Sequence, residues 1–234
     1  MIYTSHSRGV RALRGTGTSS TMRNLLPEII TFSGTEGSGK STHARLAAES
    51  LASAGRPSEL RKGNRTGLGW YRAALRRRFG HPVVERTAEA HAVALGPERA
   101  AAQRGGPLEL IGYAMNAVLL WATLLADRAR GCELVVFDRY AYDNLAKVVE
   151  QHPRAAAGIA RLYPRPRAAF VVAASPEDCV ARRSSLPRAY FEIRLAQLRA
   201  LAGLCPEIIW IENHDLETAR AEVSDALHQA LEPV

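Results

Sequence analysis

Lysine is scarce in this chain. Of its 31 basic residues only Lys40, Lys62 and Lys147 are lysines, and the rest are arginines. Alanine is abundant, and arginine-over-lysine, alanine-rich usage is the mark of a GC-rich genome. Part of the formal charge of +8 is therefore background rather than a signature of an anionic partner. The basic residues are scattered in short runs such as Arg76–Arg78 and Arg182–Arg183, so no face reads as a stripe for nucleic acid, and a nucleic-acid partner is not expected. Cysteine is sparse too. Cys132, Cys179 and Cys205 stand far apart, with no CxxC pair, which excludes a disulfide scaffold and a structural zinc site. They read as reduced thiols in the core of a cytoplasmic protein. The histidines show no metal spacing, and the tryptophans Trp70, Trp121 and Trp210 read as core aromatics. No continuous apolar run near the N-terminus suits a signal peptide. Residues 108–126 form one long apolar stretch, but it carries Glu109 and Asn116. That stretch reads as the central buried helix of an α/β domain, and no membrane partner is expected.

What is present is enough apolar side chain, 47% of 234 residues, for one domain with a sizeable core. Residues 1–24 are rich in Gly, Ser, Thr and Arg without periodicity and read as a disordered tail, with Met22 a candidate true start. Residues 25–234 read as the folded domain. Five short apolar runs suit strands: 28–32 (EIITF), 58–61, 133–137 (ELVVF), 168–173 (AAFVVA) and 207–211 (EIIWI). Helices are predicted at 40–54, 108–130, 140–151, 154–162, 176–183, 189–204 and 215–231, with Ala47, Leu51 and Ala54 on one face of the first. Residues 62–106 are the least legible; 68–79 read as a basic amphipathic helix and 86–104 as an Ala-rich stretch. Strands alternating with helices predict an α/β fold, a doubly wound five-stranded parallel sheet flanked by helices.

The first strand runs into Gly34-Thr35-Glu36-Gly37-Ser38-Gly39-Lys40-Ser41, which satisfies G-x-x-x-x-G-K-[ST] and opens the helix predicted at 40–54. Glycines let the backbone curl so that successive N–H groups point at phosphate oxygens. The following helix adds its positive end. Lys40 would place a charge on the β- and γ-phosphates, and Ser41 a hydroxyl on magnesium. The stretch 34–42 is thus the candidate site for ATP with Mg2+. A second anchor, Asp138-Arg139-Tyr140, follows the third strand. Ligands in open parallel sheets bind outside the carboxyl ends of the strands, so Asp138 belongs to the same rim. Its carboxylate could hold magnesium through water, and Arg139 could pair with a phosphate.

FSGTEGSGKST followed by FDRYAYDNLAK resembles the thymidylate kinases and related P-loop nucleoside monophosphate kinases. The resemblance implies a P-loop NTPase fold of the nucleoside monophosphate kinase type, with Glu36 as the acidic residue the family often carries in its loop, on the substrate side. It also implies that Ser175-Pro176-Glu177 leads into an Arg-rich lid near 182–190. Arg182, Arg183 and Arg188 are the lid candidates, and Arg182 and Arg183 are placed with Lys40, Asp138 and Arg139 as catalytic. The sequence departs from the family on the acceptor side. Where the family has Glu-Pro-Gly-Gly after the second strand, residues 60–65 read LRKGNR. Where it has Ala-Asp-Arg on the central helix, the chain has Ala114-Met115-Asn116. Arg61, Arg65, Arg139, Tyr113 and Asn116 are the acceptor candidates, though Tyr113 and Asn116 also suit a satisfied core pair three residues apart. Asparagine cannot neutralise a phosphate, so weak use of thymidylate is predicted.

The reading is therefore ATP-dependent phosphoryl transfer to a small acceptor, with a nucleoside monophosphate the first choice. A sugar or other metabolite acceptor, or a non-catalytic nucleotide-binding relative, stand as alternatives, and pairing of two copies as a homodimer is open. A regulatory GTPase would need N-K-x-D and D-x-x-G, and neither occurs.

Overall fold

The computed structural model describes residues 25–63, 107–182 and 186–232. The readings placed on 1–24, on 64–106 (including Arg65 and Trp70) and on Arg183 lie outside the described residues. Five strands, β1 (Glu28–Gly34), β2 (Glu59–Lys62), β3 (Leu134–Asp138), β4 (Ala168–Ala173) and β5 (Ile208–Glu212), form one parallel sheet in the order β2-β3-β1-β4-β5. The helices are α1 (Lys40–Ser53), α2 (Pro107–Ala129), α3 (Ala141–Leu145), α4 (Pro153–Leu162), α5 (Pro176–Arg182), α6 (Arg188–Ala202) and α7 (Leu216–Leu231). The sheet is the predicted doubly wound one.

Side-chain alternation in the central strands explains why they read as unbroken apolar runs. Ile29, Val135, Phe137, Ala169 and Val171 face one core, packed by α2, α3, α4 and α6. Ile30, Phe32, Val136, Phe170 and Val172 face the opposite core, packed by α1 and α7. Both faces are covered, so neither set can be polar. Phe32 and Phe170 stack at 5.0 Å between ring centroids across β1 and β4. Asp215 caps α7, its carboxylate accepting the Thr218 N–H at 2.8 Å.

Four expectations need correction. The stretch 140–151 is helical only over Ala141–Leu145 and then continues in turns. The helix α2 is not buried all round. Ala117, Leu120 and Leu124 reach the core, while Ile111, Met115, Val118 and Leu125 are exposed, because α2 covers the outside of one layer. The helix is long and apolar enough to cross a membrane by length and composition alone. Ala54 is exposed, since α1 ends at Ser53 and its buried face is Lys40, His43, Ala44, Ala47 and Leu51. Trp121 and Trp210 are only half-buried, each with its indole N–H bonded at the surface, to the Leu162 carbonyl and to Glu212.

Candidate functional site

The loop from β1 to α1 lies at the carboxyl end of the sheet, where parallel strands open a crevice. Gly39 caps α1 with φ of 93°, the left-handed region that disfavours a side chain. A Cβ there would also stand 2.5 Å from the Asn213 amide nitrogen. Asn213, just past β5, donates to the Ser38 carbonyl at 2.7 Å, while its own N–H bonds the Ala173 carbonyl at 2.6 Å. The fifth strand therefore props the loop from behind. Arg182 donates to the Gly37 carbonyl at 3.0 Å. Thr35 Oγ1 lies 3.5 Å from Cys179 Sγ. Lys40 folds back along the loop, its ammonium donating to the Thr35 carbonyl at 2.8 Å. Burial, aided by the Arg139 charge, draws its pKa down to about 8 against the pull of Asp143, Glu36 and Asp138. Ser41 and Thr42 are exposed on the first turn of α1.

Asp138 ends β3 beside Phe32 of β1, which puts its carboxylate next to the loop. It is buried, and its Oδ1 has no hydrogen-bond partner. A buried carboxylate oxygen left unsatisfied at the carboxyl end of β3 suits a hard divalent cation. Arg139 follows with φ of 77°, a strained backbone for a residue with a side chain, held by its N–H to the Phe32 carbonyl at 2.8 Å. The Gly63 backbone packs so closely on the Arg139 carbonyl that a Cβ would overlap it. The guanidinium reaches Glu36 at 3.1 Å and Asp143 at 3.5 Å. Asp143 also accepts the Gly34 and Tyr140 N–H groups, each at 3.3 Å. Tyr190 donates its hydroxyl to the other Glu36 oxygen at 2.9 Å. Burial opposes the charge on Glu36, but Arg139, Lys40, its own backbone N–H and Tyr190 together overcome it and hold the carboxyl at about 2.

Among solved structures, thymidylate kinase from Ehrlichia chaffeensis is similar, with a TM-score of 0.50 over 86% of this chain and 98% of that one, at 16% identity. The fold is a thymidylate kinase fold. No protein-family model matches the chain, and no curated protein matches it. At this identity the likeness carries architecture, while substrate has to be argued from the site.

Within the thymidylate kinase fold, the sequence-predicted residues divide into two groups. Gly34 through Thr42, Asp138, Arg139 and Arg182 gather at the crevice. Four others do not join the loop. Arg61 turns to Asp127 and Glu59, and with Arg130 it neutralises the buried Asp127 carboxylate. Asn116 donates to the Tyr163 hydroxyl at 3.0 Å, and that hydroxyl donates to the Tyr113 carbonyl at 2.9 Å. Arg188 is exposed and paired with Glu177 and Glu192. Sequence reasoning missed Asp143, Tyr190 and Asn213. Asp143 had a readable signal, an acid four residues after Arg139 at a helix start. Tyr190 and Asn213 had none, since they arrive through tertiary packing.

Proposed function

We propose that this protein transfers the γ-phosphoryl group of ATP to a small acceptor, most favourably a nucleoside monophosphate. The single observation that carries the reading is the buried, unpartnered Asp138 oxygen beside a glycine loop that already holds Lys40. Gly34 to Thr42 would cradle the triphosphate, with Lys40 moving from the Thr35 carbonyl to phosphate oxygens. Ser41 and Asp138 would hold magnesium, which neutralises phosphate charge when bound. Arg139 and Arg182 sit where they could stabilise charge on the transferred group, and Glu36 fixes Arg139 in place. Phosphoryl transfer asks little covalent chemistry of the protein, so positioning and charge supply most of the rate. The fold supports a soluble kinase, placed here in the cytoplasm with its ATP. The exposed stripe Ile111, Met115, Val118 and Leu125 on α2 supports pairing with a second copy.

An ADP-release assay over nucleoside monophosphates and sugars tests the reading. Release stimulated by a monophosphate supports it. Release stimulated only by sugars moves the acceptor to that class, and no stimulated release favours a nucleotide-binding protein without transfer.

A further inference from the structure

We propose that Lys147 and Arg194 form a seat for the phosphate group of a monophosphorylated acceptor, supplying the positive charge that Asn116 does not bring on α2. The proposal rests on the kinase reading of the crevice and names how its acceptor side is charged.

Lys147 stands on the turn just beyond α3, its N–H bonded to the Asn144 carbonyl at 3.1 Å. It is half-buried, yet among the described residues its ammonium makes no hydrogen bond or direct ion pair. Arg194 of α6 is 5% exposed. Among the described residues its guanidinium bonds neutral oxygens, Gln197 Oε1 at 2.5 Å and the Asp143 carbonyl at 2.9 Å. Arg194 holds the Asp143 carbonyl and Arg139 the Asp143 carboxylate, and Lys147 stands four residues further along the same segment, so the three cations gather around Asp143, with Glu36 on Arg139 as the other acid. Those acids are already engaged, Glu36 by Arg139 and Tyr190, Asp143 by Arg139 and two backbone N–H groups. Helix α6 packs with α2 and α3 in one core, and Asp143 accepts the Gly34 N–H, which sets the pair on the α2 side of the sheet, beside the loop.

Two cations held near one another without a carboxylate of their own are unfavourable in the free protein. Burial and the Arg194 charge lower the Lys147 pKa from the usual lysine value. An arriving dianion would relieve both, and a phosphate monoester brings about two negative charges to two cations. The other cation expected for this role, Arg61, is committed to Asp127 and Glu59. Lysine is so rare in this chain that its appearance here is not explained by the background preference for arginine.

Calorimetric titration tests the seat without needing turnover. Nucleoside monophosphates and their parent nucleosides are titrated into the full chain and into Lys147→Gln and Lys147→Arg, with a non-hydrolysable ATP analogue titrated separately. The wild type is expected to prefer at least one monophosphate over its nucleoside by about ten- to a hundredfold. Lys147→Gln should erase most of that preference at unchanged thermal midpoint and unchanged affinity for the ATP analogue, and Lys147→Arg should keep it. A preference that survives in Lys147→Gln, or a wild type with none, overturns the seat while leaving the donor site standing. A wild type that binds neither monophosphate nor ATP analogue overturns the kinase reading and the seat with it.

Discussion

At the residue scale, the site is a set of charges in strained or desolvated positions. Asp138 is the clearest, because a buried oxygen without a partner is costly unless something arrives to satisfy it. Asp138→Asn keeps the shape and removes the charge. Turnover should fall about a hundredfold and demand far more magnesium, while affinity for ATP changes only a few-fold; a magnesium titration of turnover beside ATP binding checks this. Lys40 makes a second prediction. With its pKa drawn down to about 8 in the free protein, it is partly neutral above that pH, and bound phosphates favour its charged form. ATP binding should therefore take up a proton between about pH 8 and the ordinary lysine range, and none at pH 6. Calorimetry in buffers of different ionisation heat reads the uptake directly. By the same linkage the unfolded chain holds more protons than the free fold in that window, so Lys40 makes the free fold more stable as pH rises through it. Glu36, a depressed carboxylate, gives a slope of the same sign lower on the pH scale. Its contribution is present above about pH 4.5 and is lost as pH falls toward about 2.

At the element scale, the legible parts were those with a strong local pattern. β4 was read with the bounds it has, and β1, β3 and β5 within two residues, since strands covered on both faces leave unbroken apolar runs. The loop was legible because its chemistry demands small residues and a lysine in fixed order. The acceptor side was not, because partners there are set by packing between distant elements. Arg61 is the example. At the end of a strand next to the crevice it read as a phosphate ligand, but a buried carboxylate eighteen residues along α2 from Glu109, Asp127, claims it. Arg61→Ala should lower the thermal midpoint, costing about 1–3 kcal/mol because Arg130 still faces Asp127, and should leave the acceptor KM unchanged. A raised KM at unchanged stability would return Arg61 to the substrate side. The helix α2 was misjudged for a related reason. Composition registers that it is apolar, but not that one stripe of it lies on the outside of the helix layer.

At the scale of the whole molecule, two expectations concern partners. Ile111, Met115, Val118 and Leu125 recur at intervals of four, three and seven residues, the spacing of a helix seam, and all are exposed. Val118→Glu should shift the sedimentation profile from dimer toward monomer at micromolar concentration; an unchanged profile would remove this stripe as the contact. The second concerns substrate. Asn116 is tied to Tyr163, so it has no freedom to replace an arginine, and the charge proposed at Lys147 comes from the turn after α3 rather than from α2. Thymidylate turnover is expected below the ordinary kinase range of about 1–100 per second, because its phosphate would seat away from where an arginine on α2 would hold it.

The most direct test of the central claim follows the phosphoryl group itself. Wild type and Lys40→Ala are incubated with ATP labelled at the γ-phosphate and a panel of nucleoside monophosphates. The account predicts label transferred to at least one monophosphate, at a rate on the order of 1–100 per second. It also predicts loss of that transfer in Lys40→Ala with its thermal midpoint intact. Label that stays on ATP with every monophosphate, or transfer that persists in Lys40→Ala, would contradict it.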